Sequence, residues 1–345
     1  ALRAGGQLTM GYPIGNRYTL TGKLGIGGFA EVWKAWDQEE HRYVAVKVLH
    51  GQWSHDRSRR ERFFRGAHRM MKLSHPHIVR VFEPQCEDDG FHYIVMEWMR
   101  GGDLQTALKN REMHHDEALE LLLDIAEALA FTHDAGVIHR DVKPSNILLD
   151  EKGQGKLSDF DLVRASDTTG GTQGGLGTFV YAAPEAGAPE AISGEFDRDV
   201  VRSATEVGPR ADVYSLGMTA ACLVHGHPLD RWVVYGRQQF IKGLDCSDNM
   251  RSVIERAIAI EPGNRFASAR DFKVALQTAL DESFSDSMWV ANPDTGDLEL
   301  TAKPLPIPRK PAVDGWKGRP SMCLITPGAF MMGSQAAEKQ RIANE

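Results

Sequence analysis

Cysteine is scarce in this chain: Cys86, Cys222, Cys246 and Cys323 are scattered through 345 residues with no C-x-x-C spacing. That argues against a disulfide framework or a thiolate metal site and predicts free thiols in a reducing compartment. Long apolar runs are missing too. No stretch approaches the roughly 18 apolar residues that cross a bilayer, and no apolar signal core opens the sequence. These two absences predict a cytoplasmic protein with no membrane segment. A basic surplus is also lacking: 40 Lys and Arg against 47 Asp and Glu leave a net charge of −7. Nucleic acid is therefore not expected as the main partner. What remains, 42% hydrophobic and 25% charged residues, suits a globular protein with a substantial core.

Residues 1–17 are Gly-rich and weakly patterned, and read as a mobile lead-in. Strand-like alternation follows at Tyr18–Leu20, Glu31–Trp36 and Tyr43–Val48, then at Ile78–Val81 and His92–Met96. Between the third and fourth of these, residues 56–73 form an arginine-rich helical pattern. The expected unit is a five-stranded antiparallel sheet with one helix. Past Gly101-Gly102 the period becomes helical, at 103–110, 116–135, 211–225, 248–260 and 268–281. Residues 283–320 lose periodicity, and Pro304, Pro306, Pro308, Pro311 and Pro320 predict an extended linker.

The chemistry concentrates in His139-Arg140-Asp141-Val142-Lys143-Pro144-Ser145-Asn146, followed thirteen residues on by Asp159-Phe160-Asp161. Two carboxylates, a carboxamide and a lysine at close spacing suit phosphoryl transfer, which needs a proton acceptor, oxygen ligands for Mg²⁺ and a cation on the moving phosphate. Upstream, Gly25-x-Gly27-x-x-Ala30-x-Val32 is a glycine loop whose backbone N–H groups can approach phosphates without Cβ interference. The strand Val44-Ala45-Val46-Lys47 comes shortly after it.

Together these motifs resemble the eukaryotic-like (Hanks-type) serine/threonine protein kinases, with a bacterial cast. The resemblance implies an α+β, two-lobed fold: a small antiparallel-sheet lobe with one helix at 18–98 and a larger, mostly helical lobe at 99–282. It also implies ATP and Mg²⁺ as cofactors and a protein substrate bearing Ser or Thr. Asp141 would be the base, Lys143 would hold the γ-phosphate and Lys47 the α- and β-phosphates, and Asn146 and Asp159 would bind the metal. Leu24, Gly25, Gly27, Val32, Ala45 and Leu148 would enclose the nucleotide. Met96 would stand behind the adenine, Glu97 and Met99 would offer backbone hydrogen bonds to it, and Asp103 would lie near the ribose. Thr168, Thr169, Thr172 and Thr178 fall in the activation segment, where Thr168, Thr169 and Thr172 are candidates for autophosphorylation and Thr178 suits the serine/threonine branch. Glu185 would pair with Arg265, and Asp212 would anchor the catalytic loop.

The chain departs from the pattern in three places. The helix position nine residues before His75-Pro76, where the family carries a glutamate for the strand lysine, is Gly66. Asp161 replaces the glycine of D-F-G, and is expected to restrict that turn or to stand in as a partner for Lys47. Residues 187–207 form an acidic excess, read as a solvated loop or as bait for a basic substrate. Gly66 and Asp161 keep a pseudokinase open as the alternative, a nucleotide-binding module that regulates an attached domain. Residues 321–345 resemble the start of a formylglycine-generating-enzyme-like domain of C-type-lectin-like fold, implying a covalently attached C-terminal domain. A scaffold whose arginine-rich helix docks an acidic partner is the non-enzymatic reading.

Overall fold

The computed structural model describes residues 7–110, 112–160, 180–186, 207–230, 233, 236–291 and 298–300, with backbone only at 283–291 and 298–300. The small lobe is built on a six-stranded antiparallel sheet. Its strands are β1 (Pro13–Ile14), β2 (Tyr18–Ile26), β3 (Ala30–Asp37), β4 (Arg42–Leu49), β5 (Val81–Asp88) and β6 (Phe91–Glu97), in the order β1-β2-β3-β4-β6-β5. A short helix α1 (Gly51–Ser54) and the longer α2 (Arg57–Met71) follow β4. Asp56 caps α2 by accepting a hydrogen bond from Arg59 N at 3.1 Å. Phe63, Phe64, Ala67 and Met70 bury one stripe of that helix.

The large lobe opens with β7 (Gly102–Asp103) and α3 (Leu104–Asn110), then α4 (His115–Asp134). Helix α4 buries the expected Ala118, Leu121, Leu122, Ile125, Ala128 and Leu129, and also Leu119, Leu123, Ala126 and Ala130. A helix apolar nearly all round belongs inside a lobe. The hairpin β8 (Ile147–Leu149) and β9 (Gly155–Leu157) pairs with β7. Around α4 stand α5 (Pro209–His225), α6 (Arg237–Lys242), α7 (Asp248–Ala257) and α8 (Ala269–Met288). This is the two-lobed α+β architecture that the motifs imply.

Three expectations need correction. The lead-in is partly packed: Leu8 and Ile14 are buried, and Pro13–Ile14 adds a sixth strand to the sheet. Proline is tolerated there because the strand is an edge. The strand expected at Ile78–Val81 begins only at Val81. Ile78 and Val79 are apolar because they pack between the lobes, where Val79 N donates to Leu157 O at 3.0 Å and Leu157 N to His77 O at 2.9 Å. The strand itself, with Glu83, Gln85 and Glu87, is too polar to stand out by composition. Finally, α8 runs on to Met288 and the backbone then pairs Trp289–Ala291 with Leu298–Leu300. No Gly or Pro stops the helix where its apolar period ends. The remaining linker and the C-terminal resemblance lie outside the described residues, as do Asp161, the four activation-segment threonines and most of the acidic excess.

Candidate active site

Strand register puts the nucleotide-facing candidates in rows. Gly25 lies opposite Val32, and Val32 opposite Lys47, while Ala45 lies opposite Met96. Directly paired residues share a face, and so do residues two apart on a strand. Gly25, Val32, Ala45, Lys47 and Met96 therefore occupy one face of the sheet. Val32, Ala45, Met96, Met99 and Leu148 belong to one apolar cluster. Leu24 does not join it, being 49% exposed.

The strand leading to the large lobe ends at Glu97, whose carboxylate accepts from Lys156 Nζ at 2.7 Å. Its N–H donates to Arg80 O at 2.8 Å. Only the Glu97 carbonyl is thus left to meet a base. Asp103 is engaged at the start of α3. Its carboxylate accepts from Thr106 N at 2.9 Å and Thr106 Oγ1 at 2.8 Å, capping α3.

The catalytic segment is held from below by Asp212, fully buried on α5. Its carboxylate accepts from His139 N at 2.8 Å, Arg140 N at 2.7 Å and His133 Nε2 at 2.8 Å. Arg140 has φ +70°, a left-handed conformation that costs a non-glycine residue and needs such bracing. His133 was not legible as part of this anchor; it lies on α4 with no motif around it. His139 is buried, with Nε2 2.8 Å from Ser158 O, Nδ1 3.2 Å from Asp141 N and its ring 4.4 Å from that of Phe160. Burial pushes its imidazole below the usual value, against the pull of Asp212, Asp141 and Asp159.

Above this floor the polar groups converge. Lys143 Nζ donates to both Asp141 carboxylate oxygens, at 3.0 and 2.8 Å. Asn146 Nδ2 donates to Asp141 O at 2.8 Å and Asp141 Oδ2 at 2.9 Å, which turns its carbonyl oxygen the other way. Asp159, with φ +64°, receives Lys47 Nζ at 2.5 Å. Burial opposes charge on Asp159, but the Lys47 and Lys143 ammoniums outweigh it and hold the carboxyl below the usual range. On α2 the expected acid is absent: Glu61 pairs with Arg57 at 2.7 Å, and Gly66 has no side chain to offer. The lysine partner comes instead from the metal motif.

Glu185 and Arg265 meet as a bidentate pair at 2.6 and 2.8 Å, deep in the large lobe. Arg265 also donates to the carbonyls of Ala259, Arg210 and Ile260 at 2.7, 3.0 and 2.8 Å.

A two-lobed fold with a lysine, an asparagine and two aspartates converging beneath a glycine loop defines a phosphoryl-transfer architecture. Comparison with known proteins agrees: residues 18–269 match the model of the protein kinase domain, and the chain belongs to that family. A probable serine/threonine-protein kinase of Streptomyces coelicolor is 32% identical over 287 residues, 78% of this chain and 40% of that protein. Serine/threonine-protein kinase PknA of Mycobacterium tuberculosis is 33% identical over 282 residues, 77% of this chain and 62% of the relative. Among solved structures, the PknI kinase domain of Mycobacterium tuberculosis superposes with TM-score 0.60 at 27% identity, covering 79% of this chain and 100% of that domain. The chain spans about two fifths of the length of the first curated relatives it matches. No helix among the described residues is long and apolar enough to cross a membrane.

Proposed function

We propose that this chain transfers the γ-phosphate of ATP to Ser or Thr hydroxyls of protein substrates, with Mg²⁺. The observation that carries this reading is the pairing of Lys47 with Asp159 and of Lys143 and Asn146 with Asp141, with Lys143 near enough to act on the Asp159 carboxyl. Among the described residues no cluster of three acidic, Cys or His side chains forms an all-protein metal cage. The donor set nonetheless suits magnesium, which takes one or two carboxylates with substrate phosphates making up the rest. Asp159 and the Asn146 carbonyl oxygen would hold it, and it would neutralise charge on the phosphates.

The chain's own residues do the remaining work. Asp141 accepts the hydroxyl proton as that oxygen bonds to the γ-phosphorus and the bond to the β-phosphate oxygen breaks, leaving ADP. Lys143, already on Asp141, would follow the moving phosphoryl group, and Lys47 would hold the α- and β-phosphates. Met96, Ala45 and Leu148 supply apolar surface for the base, with the Glu97 carbonyl and Met99 backbone at its edge. A cytoplasmic setting, a covalently attached C-terminal domain and autophosphorylation at Thr168, Thr169 or Thr172 belong to the same proposal. The pseudokinase alternative gains nothing from the comparisons, since the relatives are named as kinases, and Lys47 has a partner despite Gly66.

The test is transfer of labelled γ-phosphate from Mg·ATP to a generic basic protein and to the chain itself. We expect transfer that Asp141→Asn abolishes. Tight ATP binding without transfer would overturn the reading.

A further inference from the structure

We propose that His50 and Trp53 are positioning residues, a clasp that turns the N–H groups of the glycine loop toward the phosphates of the nucleotide. The proposal rests on the nucleotide-binding reading of the cleft. Three consecutive carbonyls of the loop are captured from one side. His50 Nε2 lies 2.7 Å from Gly27 O, Trp53 Nε1 donates to Gly28 O at 3.1 Å, and His50 N donates to Phe29 O at 2.9 Å. All three donors come from the turn into α1 that follows the strand of Lys47.

The consequence follows from peptide geometry. In a planar trans peptide the carbonyl of one residue and the N–H of the next point in opposite directions. Drawing the carbonyls of Gly27 and Gly28 toward α1 therefore turns the N–H groups of Gly28 and Phe29 away from it. The loop's glycines are uncrowded: a Cβ built on Gly25 meets nothing within 4 Å, and one on Gly27 meets only Ala30 O at 3.5 Å. Successive N–H groups turned to one open side make a cradle for an anion.

The clasp is braced by α2. Arg59, whose guanidinium pairs with Asp56 at 3.2 Å, stacks 3.5 Å over the Trp53 ring, and the Phe29 ring lies 6.2 Å from Trp53. Helix α2 has Gly66 where an acid would reach Lys47. Its first turn instead reaches the nucleotide site through Trp53 and the loop. The loop, rather than the strand lysine, becomes the link between α2 and the phosphates.

Calorimetric titration of the full chain with Mg·ATP and, separately, with adenosine tests this. Trp53→Phe keeps the ring against Phe29 and Arg59 but removes the N–H; His50→Ala removes the imidazole, and His50→Gln restores a donor. We expect Trp53→Phe and His50→Ala each to weaken ATP about three- to tenfold, the range for one lost hydrogen bond, with adenosine affinity unchanged. His50→Gln should recover most of the loss. Unchanged ATP affinity, or an equal loss for adenosine, would overturn the clasp. A wild-type chain that binds ATP but transfers no phosphate defeats the kinase reading while leaving the clasp to be decided by these affinities.

Discussion

Lys47 and Asp159, 112 residues apart in sequence, meet at 2.5 Å across the two lobes. The lysine side chain is 8% exposed and the aspartate 27%. This pair takes the place of a strand-to-helix ion pair, because the facing helix has glycine at the position in question. Under the proposed function the same carboxylate would have two tasks, steadying an ammonium and offering an oxygen to a cation.

Removing one partner should cost more than removing both. Asp159→Asn leaves a mostly buried ammonium without its counter-charge. The loss should be about 2–3 kcal/mol of unfolding free energy, less than the ~3–5 kcal/mol of fully buried pairs because Asp159 is partly exposed. Lys47→Met paired with Asp159→Asn should recover part of it. Urea unfolding of the single and double variants gives the coupling directly. Strictly additive losses would mean that the contact contributes nothing.

The catalytic loop was readable from sequence because its chemistry sits on polar residues at fixed spacing, which no apolar pattern obscures. The pairing of Glu185 with Arg265, 80 residues apart, came only from the family resemblance. What was not readable depends on tertiary partners. Gly66 announced a missing acid and pointed to a replacement from the metal motif, with Asp161 as the candidate; that Asp159 meets Lys47 appears only in the fold. Asp103, expected near the ribose, also caps α3 through a threonine three residues on, a contact that only the folded helix start reveals. His50 and Trp53 follow the lysine strand without any motif, and only the folded loop gives them a target. Ile78 and Val79 misled in the opposite sense. Their apolarity serves the contact between lobes and not the sheet.

Arginine at position 265 should not be replaceable by lysine. Its fork satisfies both oxygens of Glu185 and three carbonyls, whereas an ammonium has three hydrogens and no planar fork. Arg265→Lys leaves buried acceptors unpaired and should cost about 2–4 kcal/mol. A chemical denaturation midpoint within error of the wild type would contradict this account of the large lobe.

Helix packing sets a second limit at Gly217. A Cβ there would lie 2.6 Å from Ala257 Cβ and 2.8 Å from Ile258 Cγ2, both on the α7 side of the contact. Neither neighbour is a long flexible side chain, so the helices themselves must separate. Gly217→Ala should destabilise the chain by about 1–3 kcal/mol despite the better helix propensity of alanine. A thermal melt that rises would show that the α5–α7 contact has slack.

Acidification should weaken the fold before any carboxylate titrates. His139 accepts the Asp141 N–H at Nδ1 and faces Ser158 O with Nε2, so the neutral ring is satisfied on both sides. A second ring proton would point at a donor. Burial lowers the pKa of His139, and it is also the main cause of the lowered values of His115 and His75. In the unfolded chain each ring takes up a proton near pH ~6.5. The unfolded state then binds more protons than the folded one, so stability is full above that pH and falls as pH drops through it. The slope is at most ~1.4 kcal/mol per pH unit for each histidine. The urea midpoint should therefore be lower at pH 5.5 than at pH 7.5. A midpoint that rises on acidification would require one of these imidazoles to be charged in the folded protein, which His139, between a backbone donor and a phenyl ring, cannot accommodate without breaking the catalytic loop.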